Sequence, residues 1–172
     1  MPVDIVDNGE RLATIADRSQ DFVVASHFIE HCQDPIGAIA NMLRVLREDG
    51  VLYLIVPDMR YLLDCHRSAT SNQHLLRDHR EGPAWSKRQH FEEWVRTWEA
   101  EQARTDQDIS ARVNQLLEMD YSVHYHTWTF MSFLGFLTHL EEEMTREGGI
   151  HFEVQLLFKN ESEIITILKK LS

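Results

Sequence analysis

The sequence has no GxG motif, since its seven glycines are scattered along 172 residues with one adjacent pair, Gly148–Gly149. It has only two cysteines, Cys32 and Cys65, too few to predict a disulfide framework, so a reducing, cytoplasmic location is expected. No apolar run approaches the ~20 residues that a membrane-spanning helix needs. The amino-terminal residues are neither basic nor strongly apolar, so a signal peptide is not expected either.

Positive charge is also scarce. The 17 Lys and Arg against 28 Asp and Glu give a net charge of −11 with His neutral. A protein that binds nucleic-acid phosphates or an anionic membrane surface needs a basic patch, so neither partner is expected. The length and the hydrophobic content of 43% are typical of one globular domain, which we predict to span residues 1–172.

The clearest pattern in the chain is a parallel βαβ unit. Residues 21–26 (DFVVAS) form a short apolar and β-branched run, and residues 49–58 (DGVLYLIVPD) contain a second. Between them lie a polar segment, HFIEH at 27–31, and a helical pattern. We predict that 22–25 and 51–56 are adjacent parallel strands, with the polar segment at the carboxyl end of the first strand, where open α/β folds bind ligands.

The helix of this unit is predicted to span 35–47. Asp34 is a typical N-cap residue, and Pro35 is favoured at the first helical position. The apolar residues that follow at helical spacing form one stripe. We expect this stripe to face the sheet, and it consists of Ile36, Ile39, Ala40, Leu43 and Leu46.

The rest of the chain completes an α/β pattern. Residues 59–126 carry helical signals and no strand signal, which predicts a helical insertion. Two alternating runs near the carboxyl terminus, 150–156 and 163–169, are joined by a short turn and are therefore predicted to be antiparallel. The alternation of apolar and acidic residues predicts one more short strand at Val3–Val6. The expected fold is α/β, with a mostly parallel sheet, the insertion and an antiparallel terminal hairpin.

Residues 21–58 resemble the middle of class I S-adenosylmethionine-dependent methyltransferases. In that family the fourth strand ends in a loop with a Glu-His pair, here Glu30–His31, and a turn of the type RVL-(K/R)-x-(G/D)-G, here 44–50, precedes the fifth strand. The resemblance implies an incomplete Rossmann-like fold, S-adenosylmethionine as cofactor, and methyl transfer to the hydroxyl of a small molecule or sugar. Further segments are similar to a subgroup that accompanies glycosyltransferases in surface-polysaccharide assembly: 56–61, 74–79, 90–94 and 124–128.

The resemblance also implies which residues hold the cofactor. Ser26 and His27, after the first strand, would line it. A polar residue in the segment DNGERL (7–12) would meet the adenine ring, and either Asp7 or Asn8 occupies that position.

The same resemblance places Glu30 and His31 at the reacting centre, where His31 or His126 would take a proton from the acceptor hydroxyl. A plainer interpretation is that Glu30 and His31 only hydrogen-bond their own loop. His124 and His126 alternate around Tyr125, so on an extended segment they would point the same way, as a metal pair or a grip on the substrate.

The sequence departs from the family pattern before the βαβ unit. The family's first strand and its glycine-rich loop hold the methionine part of the cofactor, and the sequence has no counterpart. It therefore resembles an amino-terminally shortened methyltransferase, for which we expect weak or no cofactor binding. Strand 22–25 would lack a neighbour, which predicts a homodimer through this edge or a cover formed by residues 1–17. The alternative function is a non-catalytic remnant that acts as an interaction module.

Residues 27–31 also spell H-x-x-E-H, a zinc motif that has to lie on a helix. Here the segment starts in a predicted strand and ends before a predicted helix. No metal site is therefore predicted, and a zinc hydrolase is the weakest of the three functional hypotheses.

Overall fold

The computed structural model of the chain describes residues 3–101, 105–146 and 149–171. Strands and helices alternate over its first third, and the α/β class is confirmed. The elements are β1 (Gln20–Ser26), α1 (Pro35–Val45), β2 (Leu46–Pro57), α2 (Asn72–Glu81), α3 (Lys87–Trp98), α4 (Asp106–Glu118), α5 (Phe130–Arg146), β3 (Phe152–Asn160) and β4 (Glu163–Lys170). No helix among the described residues is long and apolar enough to cross a membrane.

The predicted βαβ unit is present. β1 pairs in parallel with β2, in a register that places Phe22 opposite Val51 and Ser26 opposite Ile55. The pairing has one irregularity, between Gln20 and Phe22. The prediction that these strands are adjacent and parallel is thus confirmed.

Helix α1 begins where the sequence predicts and ends two residues earlier. The side chain of Asp34 accepts a 2.9 Å hydrogen bond from the N–H of Gly37, so it is the N-cap. The helix ends at Val45 rather than Arg47, because the chain passes directly into β2 at Leu46. The predicted stripe packs into the core: Ile36, Ile39, Leu43 and Leu46 are buried, and Ala40 is half-buried.

The described strands form a mixed sheet with the order β1-β2-β4-β3. β1 and β2 are parallel, whereas β4 pairs antiparallel with both β2 and β3. The predicted terminal hairpin is therefore confirmed. The predicted mostly parallel arrangement is corrected to a mixed one, because this hairpin adds to the sheet directly beside β2.

The amino-terminal segment contains no strand or helix between Val3 and Ser19. Val3–Val6, predicted as a short strand, is unpaired and exposed. Further on, the segment is bound through its backbone to α1. The guanidinium of Arg44 donates hydrogen bonds to the carbonyl oxygens of Arg11, Leu12 and Ile15.

The apolar interior has two parts. A larger core lies between the sheet and helices α1, α2 and α5. A smaller one joins α3 and α4 to the irregular segment 121–127, and its members are Phe91, Val95, Ile109, Val113, Leu116, Val123 and Tyr125. Residues 59–126 are thus mostly helical where they are described, and their assignment as an insertion stays a prediction.

Candidate active site

The candidate site lies on the loops that follow β1 and β2. A short 3-10 turn after β1 presents Glu30 and His31, and another after β2 carries Asp64. Because the two strands are parallel, both loops leave the same edge of the sheet. The segment 121–127 joins them there, since the N–H of Tyr125 donates a 2.8 Å hydrogen bond to the carbonyl oxygen of Glu30.

His124 and Asp64 form a close pair. Nδ1 of His124 lies 2.7 Å from Oδ2 of Asp64, which is 1% exposed, whereas the His124 side chain is 12% exposed. A carboxylate accepts, so Nδ1 carries a hydrogen, and in the neutral form of this imidazole Nε2 holds the lone pair. Burial tends to raise the pKa of Asp64, but hydrogen bonds from His124 and Trp98 outweigh it and lower that pKa below its usual value. Asp64 is therefore ionised at neutral pH.

Arg67 fixes this pair from the other side. Its guanidinium is buried and donates to Oδ1 of Asp64 at 3.0 Å and to the carbonyl oxygens of His124 and Tyr125 at 2.8 and 3.1 Å. It also donates to Oε2 of Glu93 at 2.9 Å. A planar, always charged group that reaches all these acceptors sets the orientation of the Asp64 carboxylate and of the backbone that carries His124.

Glu30 is buried as deeply as Asp64 but lacks hydrogen bonds from the described residues to its carboxyl group. Its side chain is 1% exposed, and neither carboxyl oxygen has a hydrogen-bond partner among the residues that the structure describes. Nδ1 of His27 lies 3.5 Å from Oε1. Burial raises the pKa of Glu30, so this group holds a proton to higher pH than an exposed glutamate does.

His31 lies against the same cluster. Its Nδ1 is 3.0 Å from the carbonyl oxygen of Val123 and 3.0 Å from the hydroxyl of Ser122, and its ring meets that of His124 edge-on with 4.7 Å between centroids. Burial, and then the nearby His124, lower the pKa of His31. The structure therefore brings together the predicted residues Glu30 and His31 with His124, whose ligand or proton-bearing atoms lie within 4.8 Å of one another.

His126, which was also predicted to be catalytic, lies in another place. Its side chain is completely buried, with ring centroids 5.7 and 5.1 Å from those of His74 and His90. His124 and His126 thus enter different clusters instead of pointing the same way. The segment 121–127 is not a regular strand, so the two-residue alternation of a strand does not apply to it.

Of the predicted cofactor residues, Ser26 and His27 lie at the carboxyl end of β1. Ser26 is exposed at the end of an apolar groove of about 290 Å³ along β1, which Leu12 and Phe28 also line. His27 has a left-handed backbone (φ 49°), and its Nε2 lies 3.0 Å from Oε1 of Glu163. Because residues 29–31 form a 3-10 turn rather than an α-helix, the H-x-x-E-H segment lacks the helical presentation that the zinc motif requires.

The other two predicted cofactor residues stabilise their own turn. Oδ2 of Asp7 accepts hydrogen bonds from the N–H and the hydroxyl of Thr14, at 2.7 and 2.8 Å. Oδ1 of Asn8 accepts from the N–H groups of Glu10 and Arg11, both at 3.0 Å. Asn8 also borders a polar cleft of about 470 Å³, so Asn8 and Ser26 line two different depressions.

Asp64 and Arg67 are the site residues that sequence reasoning missed. Nothing local to them marks a site, since they follow β2 in a stretch without regular pattern. Their role depends on contact with His124, which is 60 residues from Asp64 in the sequence.

Comparison with known proteins supports a relationship for the first part of the chain. A family model described as a methyltransferase domain matches residues 3–54, less than a third of the chain. The matched segment ends inside β2 and contains Ser26, His27, Glu30 and His31. No curated protein gave a match.

Two solved structures are similar in fold. One is a SAM-dependent methyltransferase from Methanosarcina mazei, with 18% identity and a TM-score of 0.47, covering 97% of this chain and 66% of that one. The other is a candidate methyltransferase from Bacillus halodurans, with 12% identity and a TM-score of 0.40, covering 95% of this chain and 74% of that one. The chain thus spans just under two thirds of the first structure, and at these values neither carries an argument about activity.

Proposed function

We propose that the protein serves methyl transfer from S-adenosylmethionine to the hydroxyl group of a small molecule or sugar. The observation that carries this proposal is the 2.7 Å contact between His124 and Asp64, beside Glu30 and His31, at the carboxyl end of two parallel strands. The methyltransferase-domain match over 3–54 supports the same chemistry for the βαβ unit that holds half of this site.

The chemistry that S-adenosylmethionine supplies is an electrophilic methyl group on a sulfonium. The residues of this chain supply the base. Nε2 of His124 takes the proton of the acceptor hydroxyl, and the Asp64 carboxylate stabilises the resulting imidazolium through Nδ1. His31, kept neutral by the burial that lowers its pKa, accepts a hydrogen bond from the acceptor or replaces His124 as the base. A buried Arg67 holds the Asp64–His124 pair in one geometry.

The described residues fit the cofactor in part. The groove beside β1 has apolar walls from Leu12, Phe28 and Met42 and a polar end at Ser26, which suits a purine ring with a hydroxylated sugar. The amino-acid end of the cofactor needs a close backbone approach. Gly9 lines this groove, but the Phe28 ring already occupies the space beside it. A Cβ added at Gly9 would lie only 2.6 Å from that ring. Cofactor binding to these residues alone is therefore weak.

The acceptor class follows from the resemblance of 56–61, 74–79, 90–94 and 124–128 to enzymes of surface-polysaccharide assembly. Two of these segments contribute to the site: Glu93, in the third, accepts a hydrogen bond from Arg67, and His124 begins the fourth. Aromatic rings of the kind that stack on sugars adjoin His124, since the parallel rings of Trp94 and Trp98 lie 5.3 and 5.5 Å from it. A sugar hydroxyl is thus the acceptor we favour.

A second candidate, a non-catalytic interaction module that forms a homodimer through β1, rests on a different observation. β1 pairs only with β2 among the described strands, and Phe22 and Val24 on it are 67% and 60% exposed. Unpaired strand edges with exposed apolar side chains pair with other chains. The described part of the predicted cover, residues 3–17, leaves these two side chains exposed, so that part does not replace a partner.

The deciding experiment measures S-adenosylhomocysteine release at millimolar S-adenosylmethionine, with methyl glycosides as acceptors. We expect slow turnover by the wild type and a loss of ~10²–10⁴-fold in His124→Gln, the range of general-base contributions. His66→Gln is the matched control, because His66 is exposed and two residues from Asp64. Full activity in His124→Gln would show that the base is another group. Absence of both turnover and cofactor binding in the folded wild type would favour the interaction module.

A further inference from the structure

We propose that His74, Asp78, His90 and His126 bind one divalent transition-metal ion, for which zinc has the best-matched chemistry. Helix α2 provides His74 and Asp78, four residues apart on one face. Helix α3 provides His90, and the segment after α4 provides His126. Each residue offers one ligand atom, and all four atoms lie within 4.8 Å of one another.

The distances within this cluster match a tetrahedral ion. Nε2 of His74 is 3.0 Å from Nε2 of His90 and 3.1 Å from Oδ2 of Asp78, and Nε2 of His126 is 3.7 Å from the same oxygen. Metal–ligand bonds of ~2.0–2.1 Å in a tetrahedron separate neighbouring ligand atoms by about 3.3 Å. These three separations lie on both sides of that value and the other ligand atoms lie within 4.8 Å, so an ion enters with adjustments of the side chains.

The charge balance of the cluster also favours a cation. The Asp78 side chain is completely buried, and among the described residues its ionic contacts are with His74 and His126, with no Lys or Arg within 4 Å. Its Oδ2 has no hydrogen-bond partner in the described part of the chain. A buried carboxylate without a positive partner costs several kcal/mol, and a bound metal ion supplies that partner.

Burial separates two of the histidine ligands from solvent. His90 and His126 are 4% and 0% exposed, so little water competes with a metal ion for their ring nitrogens. Nε2 of His126 also lies 3.3 Å from the carbonyl oxygen of Gln33, a contact that a metal ion would replace, whereas Oδ2 of Asp78 lacks a hydrogen-bond partner among the described residues. Buried polar atoms without partners are rare and indicate a missing water or ion.

A second shell and an entry path are present. The hydroxyl of Ser86, itself buried, donates a 2.9 Å hydrogen bond to Oδ1 of Asp78, which directs Oδ2 towards the histidines. A cleft of about 310 Å³ opens beside His74 and His90, and the His74 side chain is 18% exposed. An ion can therefore reach the cluster from solvent without unfolding of the helices.

Four protein ligands make a closed site, which is typical of structural zinc. The ion would tie α2, α3 and the segment 121–127 together. That segment also carries His124, so the metal would hold the candidate base in place without touching the acceptor. The inference concerns residues other than those of the proposed base, and it stands even if the protein transfers no methyl group.

The test is metal binding by the full chain after removal of metals with EDTA. We expect one zinc per chain in competition titration with a chromogenic chelator, a visible absorption band typical of four-coordinate Co²⁺ when cobalt is added, and a midpoint of thermal unfolding that rises with zinc concentration. His74→Ala and the isosteric Asp78→Asn should weaken zinc binding by more than ~100-fold, and Ser86→Ala by ~10–100-fold, the usual effect of a second-shell change.

Two controls separate this site from others. His151→Ala removes an exposed histidine outside both clusters and should leave zinc binding unchanged. His124→Ala removes a member of the Glu30–His31–His124 cluster and should leave it unchanged as well. The proposal is overturned if folded wild-type protein binds neither zinc nor cobalt, if His74→Ala and Asp78→Asn bind zinc as the wild type does, or if His124→Ala alone abolishes binding.

Discussion

Oδ2 of Asp64 lies 2.7 Å from Nδ1 of His124, although 60 residues separate them in the sequence. Asp64 follows β2, and His124 lies in the irregular segment before α5. The contact therefore depends on how the helices between them fold back over the sheet. It joins the loop after β2 to the segment 121–127, which also contacts Glu30 and His31.

Asp64→Asn should change the tautomer of His124. Without a carboxylate, nothing fixes the hydrogen on Nδ1, so we expect both neutral tautomers to be populated and methyl transfer to fall ~10²–10⁴-fold. Long-range ¹H–¹⁵N NMR of the imidazole measures the tautomer directly. Glu93→Gln is the control, because Glu93 contacts Arg67 rather than His124. An unchanged tautomer in Asp64→Asn would show that the Asp64 carboxylate does not fix the hydrogen on Nδ1 of His124.

S-adenosylmethionine should bind the isolated chain weakly. The groove beside β1 offers apolar walls and one polar end but no glycine-rich loop, so we expect a dissociation constant in the millimolar range or weaker, about −4 kcal/mol. Saturation-transfer NMR with S-adenosylmethionine and S-adenosylhomocysteine tests this, with guanosine as the control for non-specific base binding. A micromolar constant, about −8 kcal/mol, would contradict it.

Leu43→Ala should destabilise the fold by about 2–5 kcal/mol, the usual cost of removing a buried leucine. Leu43 is 0% exposed and lies in the core between α1 and the sheet. Urea unfolding followed by circular dichroism measures the change. Met131→Ala is the control, since Met131 is 68% exposed on α5 and its loss should change the unfolding free energy by less than ~0.5 kcal/mol.

Glu30→Gln should alter the pH dependence of stability. Burial raises the pKa of Glu30 in the folded protein, so its contribution to stability is present below the unfolded-state pKa of about 4.3 and is lost as pH rises through the folded-state pKa. The variant does not titrate there. Its unfolding free energy relative to the wild type should therefore increase as pH rises above about 4.3, the unfolded-state pKa of a glutamate.

Urea unfolding at several pH values measures this difference. Gln107→Ala, an exposed site in α4 without a titrating carboxyl, is the control and should give a constant difference from the wild type. A constant difference in Glu30→Gln would mean that the Glu30 carboxyl is solvated in solution.

Association through β1 should depend on Val24. Val24 is 60% exposed on a strand that has a single neighbour among the described strands. We expect light scattering to show a dimer whose fraction rises with concentration, and Val24→Lys to remain monomeric because a charge on an edge strand opposes pairing. Val154→Lys, on the other outer strand, is the matched control. A wild-type monomer at all concentrations would contradict the prediction.

Local signals in the sequence were enough for the βαβ unit. Asp34 and Pro35 marked the start of α1, and the spacing of Ile36, Ile39 and Leu43 marked its buried face. A helix start and a buried helix face were predictable because each depends on residues only a few positions apart. The prediction for Val3–Val6 was wrong because alternation alone does not supply a strand to pair with.

The candidate site was predictable only in part, for the same physical reason. Glu30 and His31 lie on a loop whose position follows from β1, so the sequence placed them together. Asp64, His74 and His90 acquire partners through the packing of helices against the segment 121–127, which no periodicity encodes. The experiments above test whether these residues act as a base or as metal ligands.

Arg44 binds the stretch before β1 through carbonyl oxygens, those of Arg11, Leu12 and Ile15. Every amino acid has that oxygen, so the contact does not depend on which side chains the stretch carries. Exposed positions such as Arg11 can therefore be substituted during evolution, whereas Arg44, which binds their backbone, cannot. Among related chains we expect the backbone course of this irregular segment to be kept while its amino acids vary.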